Sequence, residues 1–205
     1  MSLFPIFLKL QSRLAIVVGG GIVSEGKISG LLAAHARVRV ISPSITPALA
    51  ARVREGRIDW VPKAFAPGDL AGAYLVVAAT SAVGVNEAVF HEAESRGVLC
   101  NAVDDVEHCN FYYPAIVQRG DLQIAVSTNG KSPALAQRLR KELEAQFDPE
   151  YEAWLEWLGA AREALRASSK DAEANKKILH SLASRPSFEQ FLRETRPHPQ
   201  SKGAA

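Results

Sequence analysis

From Leu14 onward, short runs of apolar and mostly β-branched residues alternate with longer tracts whose apolar positions recur at helical spacing. The runs at 14–18, 38–41, 58–61, 75–78, 98–103 and 122–126 have the length and composition of buried strands, and the tracts at 25–35, 46–55 and 85–96 read as helices. Strands that alternate with helices predict βαβ units. The expected fold class is therefore α/β, with a Rossmann-like, doubly wound parallel sheet whose ligands lie beyond the carboxyl ends of the strands.

The periodicity changes after Pro114. The stretch "SPALAQRLRKELEAQF" opens with an N-cap serine, Ser132, and a proline at the first helical position, and it stacks Leu135, Leu139 and Leu143 every four residues. A single apolar stripe of this kind suits a subunit contact or a core. A second tract follows Asp148-Pro149, with Tyr151, Trp154, Leu155, Leu158, Ala161 and Leu165 on one helical face. A third carries Ile178, Leu179, Leu182, Phe188, Phe191 and Leu192, and Pro186 is expected to interrupt it. The last ten residues, rich in Pro, Ser and Gly, are expected to be disordered.

Composition narrows the function classes. Of 205 residues 47% are hydrophobic and 22% charged, as in ordinary globular proteins, and 24 Lys and Arg against 22 Asp and Glu leave no basic surplus for general nucleic-acid binding. No apolar run approaches the roughly 18 residues of a membrane span, and no charged-then-apolar leader opens the chain, so a cytoplasmic protein without membrane or nucleic-acid partners is expected. Cys100 and Cys109 match neither a metal knuckle nor a redox pair and read as buried free thiols.

The first strand runs straight into Gly19, Gly20, Gly21, Ile22, Val23 and Ser24. Gly19, Gly21 and Ser24 form a G-x-G-x-x-small pattern between a strand and a helix, the context a dinucleotide fingerprint demands. Gly19 allows a tight turn, Gly21 lets backbone approach a pyrophosphate, and Ser24 lets the helix pack close to the sheet. The helix N-terminus adds unpaired N–H groups and partial positive charge. After the second strand, "VRVISPSIT" offers Ser42 and Pro43 where a ribose-binding acid is common, so the choice between NAD and NADP rests on no acid there. Ser42 can still hydrogen-bond a ribose. Thr80 and Asn101 also end strands on the ligand side, as nicotinamide or ribose contacts or as turn residues.

Four segments in order, "PIFLKL", "VVGGGIVSEGK", "VVAATSAVGVNEAVFHEAESRGVLCNAVDD" and "FYYPAIVQRGDLQIAVSTNGKSPALAQRLRKELE", span about residues 4–146. Together they resemble the precorrin-2 dehydrogenase and sirohydrochlorin ferrochelatase family, the module found in siroheme synthases. The resemblance implies NAD-dependent oxidation of precorrin-2 to sirohydrochlorin, in some members followed by Fe²⁺ insertion. It also implies a homodimer and a division into an NAD-binding domain at 1–113, a dimerisation region at 114–147 and a C-terminal helical domain at 148–195 that helps enclose the tetrapyrrole, before the tail at 196–205. Two departures stand out: Gly26 precedes Lys27 where the family usually has Arg, and "EHCNFYYPA" brings His108 and Asn110 near the expected site.

Such an oxidation needs a hydride acceptor held against a carbon, and a base for the proton. Asp104, at the end of "VLCNAVDD", occupies the family position implicated in the chemistry. An ordinary Asp, with a pKa of about 3.9, is a weak base, so burial or the neighbouring Asp105 is expected to raise it. The substrate's carboxylates call for cations and hydroxyls, for which Ser127, Thr128, Lys131, Ser132 and Arg138 are candidates. No protein metal site is expected, because His108 and Cys109 are adjacent and the macrocycle brings four nitrogen ligands of its own.

Overall fold

The computed structural model describes residues 3–195, so the tail expected at 196–205 lies outside the described residues. The chain divides into two compact units between Tyr113 and Pro114.

The first unit runs β1 (Leu14–Val18), α1 (Ile22–Ala33), β2 (Arg37–Ile41), α2 (Pro47–Arg54), β3 (Asp59–Val61), β4 (Leu75–Ala78), α3 (Val83–Arg96) and β5 (Leu99–Ala102). Its five strands pair in parallel in the order β3-β2-β1-β4-β5. Side chains alternate between two apolar layers. Ala15, Val17, Val38, Val40, Leu75 and Val77 pack with Ile28, Leu31 and Leu49 of α1 and α2. Ile16, Val18, Ile41, Val76 and Ala78 pack with Val89 and Ala93 of α3. Helices thus cover both faces, which is why the central strands read as unbroken apolar runs. From β1 the chain builds outward through β2 and β3, then returns to the other side of β1 for β4. That reversal opens a crevice at the carboxyl ends of β1 and β4, where ligands of doubly wound sheets bind.

Helix α1 starts at Ile22, three residues before its apolar periodicity suggests. The reason is that Ile22 and Val23 are 81% and 53% exposed and contribute nothing to the inward-facing pattern.

In the second unit, β6 (Ala115–Arg119) and β7 (Leu122–Val126) form an antiparallel hairpin. Gly120, at φ +54°, turns it. Strand β6 escapes the sequence pattern because only Val117 among its five residues is buried. Four helices follow: α4 (Pro133–Gln146), α5 (Glu150–Ser168), α6 (Ala172–Leu182) and α7 (Arg185–Thr195). The third helical tract is thus two helices rather than one interrupted helix. Pro186 stands second in α7, where a missing N–H costs no hydrogen bond. The core is an aromatic stack, with the Phe188 ring 4.3 Å from that of Tyr151 and 4.9 Å from that of Trp154. Among the described residues no helix is long and apolar enough to cross a membrane.

Candidate functional site

The glycine turn leaves β1 at the crevice. Gly19 sits at φ +119°, and a Cβ there would lie 2.3 Å from the Ala79 carbonyl oxygen beyond β4. A Cβ on Gly20 would lie 2.1 Å from the Ser44 carbonyl oxygen beyond β2. The protein's own packing therefore requires both glycines. Gly21 differs: a Cβ there would meet nothing within 4 Å. It is the N-cap of α1 and supplies no side-chain cap; its carbonyl accepts only from the Ser24 backbone at 3.1 Å, which leaves the N–H groups of Ile22 and Val23 without an acceptor from that position. Ser24 is fully buried, and its hydroxyl donates to the Gly19 carbonyl at 2.9 Å, locking turn to helix. Space over Gly21 and an uncapped helix N-terminus fit a dinucleotide pyrophosphate.

Around this turn, several candidates carry structural bonds. Ser42 is buried; its hydroxyl donates to the Ser44 carbonyl at 2.7 Å, leaving only lone pairs for a ribose, and Pro43 beside it is exposed. Thr80 Oγ1 accepts from the Ala82 backbone at 3.1 Å and lies 3.3 Å from Asn86 Oδ1, so it shapes the turn between β4 and α3. Asn101 is buried and donates from Nδ2 to the Phe111 carbonyl at 3.0 Å. Thr80 and Asn101 thus hold the crevice wall.

Asp104 lies two residues beyond β5 at φ +60°, a region non-glycine residues visit uncommonly. It is exposed, so the burial expected of it is not found. Asp105 is engaged with a near neighbour. Its Oδ2 is 2.6 Å from His108 Nδ1, closing the short 3₁₀ turn Val106–His108. Asn110 clips the segment to the sheet edge, accepting from the Cys100 backbone at 2.7 Å and donating to Glu94 at 2.9 Å. Burial, with the negative neighbours Cys109, Glu94 and Asp105, pushes the Cys100 thiol up to about 12; burial also raises Cys109. Both are free thiols that stay protonated and unreactive at neutral pH.

Lys27 stands beside these candidates, where sequence reading did not place it. Its Nζ lies 3.8 Å from the centroid of the Tyr113 ring, a cation–π contact. Burial lowers its pKa from the usual lysine value, while the charges of Asp104 and Cys109 oppose that shift. The ammonium group is thus held within electrostatic reach of Asp104. A signal existed: Ser24, Lys27, Ile28 and Leu31 follow the i, i+3, i+4, i+7 rule, which turns Lys27 inward with its apolar neighbours.

In the second unit, Ser127, Thr128, Lys131 and Ser132 share one loop before α4. Ser132 Oγ accepts from the Leu135 backbone at 3.2 Å, capping the helix. Thr128 Oγ1 accepts from the Ser132 backbone at 3.1 Å, and Ser127 Oγ from that of Asn129 at 3.2 Å. Lys131 is exposed, while Arg138 pairs with Glu142 at 3.1 Å. Among the described residues no group of three or more His, Cys, Asp or Glu could hold a metal ion.

Residues 6–115 match the family described as "Putative NAD(P)-binding", and residues 119–146 match "Sirohaem biosynthesis protein central". "Siroheme synthase 1" of Aeromonas salmonicida (strain A449) is 41% identical over 167 residues, which cover 82% of this chain and 36% of the relative. "Siroheme synthase" of Chromobacterium violaceum is 38% identical over 186 residues, covering 91% of this chain and 40% of the relative. The chain thus spans about two fifths of the length of these curated relatives. Among solved structures, "SirC, precorrin-2 dehydrogenase" has the same fold, with a TM-score of 0.79 at 24% identity over 94% of this chain and 98% of that one.

Proposed function

The chain belongs to this NAD(P)-binding family and continues into the sirohaem biosynthesis region, and on that footing we propose that it oxidises precorrin-2 to sirohydrochlorin with NAD⁺ during siroheme biosynthesis. The observation that carries the reading is the conjunction, at one end of one sheet, of an uncapped helix N-terminus over open space at Gly21 and a carboxylate just beyond β5.

Bound NAD⁺ supplies the carbon that accepts the hydride. The chain does the rest. The turn from Gly19 to Val23 orients the cofactor by its pyrophosphate, with Gly19 and Gly20 fixing the turn and the first-turn N–H groups of α1 meeting the charge. Substrate loses one hydride and one proton, and the exposed Asp104 carboxylate receives the proton. Lys27, pinned against Tyr113, offsets the carboxylate's charge. Ser127, Thr128, Lys131 and Ser132 offer donors to substrate carboxylates. The preference for NAD⁺ over NADP⁺ is supported by "ISPSIT" at residues 41–46, which holds no Arg or Lys to meet a 2′-phosphate.

The chain acts as a homodimer in the cytoplasm; exposed Ile116, Leu135 and Trp157 in the second unit supply apolar surface for a second copy. Insertion of Fe²⁺ would ask little more of the protein, since the macrocycle brings its ligands and the chain need only take up the displaced protons. Its measure is insertion of Fe²⁺ or Co²⁺ above the spontaneous rate.

Asp104→Ala tests the chemistry. It is expected to bind NAD⁺ with a Kd within twofold of the parent and to lose turnover by about 100-fold. Near-normal oxidation by the variant removes Asp104 from the reaction, and loss of NAD⁺ binding moves it to the cofactor.

A further inference from the structure

The cleft between α5 and α6 carries charge that the proposed oxidation does not use. Arg162, Arg166 and Lys170 succeed one another every four residues along the end of α5 and just past it, and Lys176 and His180 repeat that spacing on α6. These five side chains, with Asn175, line a cavity of about 450 Å³. That is within the range of small-molecule sites.

The charge balance is lopsided. Four permanent cations face the cavity and its walls hold no acid, whereas the whole chain carries a net charge of only +2. The cleft is thus a local concentration of positive charge on a chain whose remainder is net negative. Like charges at i, i+4 on a helix repel. None of the five basic side chains has an ion-pair partner within 4.0 Å among the described residues. Glu163 stands three residues before Arg166, a spacing that permits pairing, and no pair forms. Asp171, at the mouth of the turn, spends its carboxylate capping the Ala174 backbone at 3.0 Å. The geometry of the cleft is fixed by Asn175, whose Nδ2 donates to the Ser169 carbonyl at 3.1 Å and ties α6 to the end of α5.

Two guanidinium groups one helical turn apart present forked donors that match carboxylate or phosphate oxygens, and a cavity lined by one sign of charge concentrates the opposite sign. We propose that the α5–α6 cleft is a binding site for a small multivalent oxyanion, one that presents two or more carboxylate or phosphate groups on the order of 6 Å apart. The site is independent of the dehydrogenase reading, since it needs neither substrate nor turnover.

The test is calorimetric titration of the full chain, with saturating NAD⁺ present to occupy the glycine turn. Citrate probes the carboxylate source and tripolyphosphate the phosphate source; acetate at matched ionic strength is the monovalent control. At least one multivalent anion is expected to bind, and Arg162→Gln with Arg166→Gln is expected to weaken its Kd at least tenfold. Lys141→Gln, an exposed lysine on α4, should leave that Kd within twofold. The arm that binds more tightly names the source. Circular dichroism and Tm establish that the double variant is folded, and ¹⁵N shifts of the arginine Nε groups on anion addition report occupancy in the unaltered chain. The proposal is overturned if neither multivalent anion binds, if the double variant binds as the parent does, or if acetate binds equally well.

Discussion

The two units solve the burial problem differently. In the first, β1 and β4 alone place Ala15, Ile16, Val17, Val18, Leu75, Val76, Val77 and Ala78 out of solvent between helices on both faces. In the second, the buried apolar residues among those described are Val117, Ala136, Trp154 and Phe188. Fully buried strands make a rigid frame, so turns at their carboxyl ends are held by close backbone contacts such as those at Gly19 and Gly20. A helical unit with so small a core leans on one aromatic stack and leaves Ile116, Leu135, Trp157 and Ile178 exposed. Rigid positioning belongs to the first unit, and exposed apolar surface to the second.

The largest expected effect attacks the thinner core. Phe188→Ala removes the ring that touches both Tyr151 and Trp154 and is expected to cost the second unit about 3–5 kcal/mol. In denaturant titrations followed by Trp154 and Trp157 fluorescence, that unit should unfold early while the first still binds NAD⁺. Simultaneous loss of both would break the contrast between the units.

Next come two neighbouring glycines with opposite consequences. Gly20→Ala drives a Cβ against the Ser44 carbonyl and is expected to destabilise the first unit by about 1–3 kcal/mol. Gly21→Ala has room for its Cβ within the protein and should change stability by no more than about 0.5 kcal/mol. Its effect falls on the cofactor, with NAD⁺ affinity expected to drop about tenfold, or about 1.4 kcal/mol. Calorimetry and thermal unfolding of the pair separate the two roles; equal NAD⁺ affinity in Gly21→Ala and the parent removes that glycine from the cofactor site.

The smallest effect is a gain. Gly26 is an exposed glycine inside α1, and a Cβ there would meet nothing within 4 Å. Gly26→Ala is therefore expected to raise stability by about 0.5–1 kcal/mol. The midpoint of urea unfolding should rise with no change in NAD⁺ affinity.

The same contrast explains what the sequence revealed. β1 and β4 were legible to the residue because strands buried on both faces leave uninterrupted apolar runs. β6 was not, since a hairpin strand with one buried residue has no such run, and Pro186 was misread because proline at the start of a helix and proline within one look alike until the neighbouring helix ends are known. The glycine turn was legible because Gly19 and Gly20 have no room for a Cβ. Lys27 was hidden because its partners, Tyr113 and Asp104, lie nearly eighty residues or more along the chain. The exposure of Asp104 and the Asn110 clip likewise depend on how the segment after β5 folds back, which local pattern does not encode.

The central claim is that this crevice passes a hydride from precorrin-2 to NAD⁺. The direct test mixes the purified chain, without oxygen, with precorrin-2 and either NAD⁺ or NADP⁺, and follows dinucleotide reduction together with the sirohydrochlorin absorbance. The account predicts one reduced dinucleotide per sirohydrochlorin, with NAD⁺ used at least tenfold more efficiently than NADP⁺. Sirohydrochlorin formation no faster than in the enzyme-free control, with either dinucleotide, contradicts it.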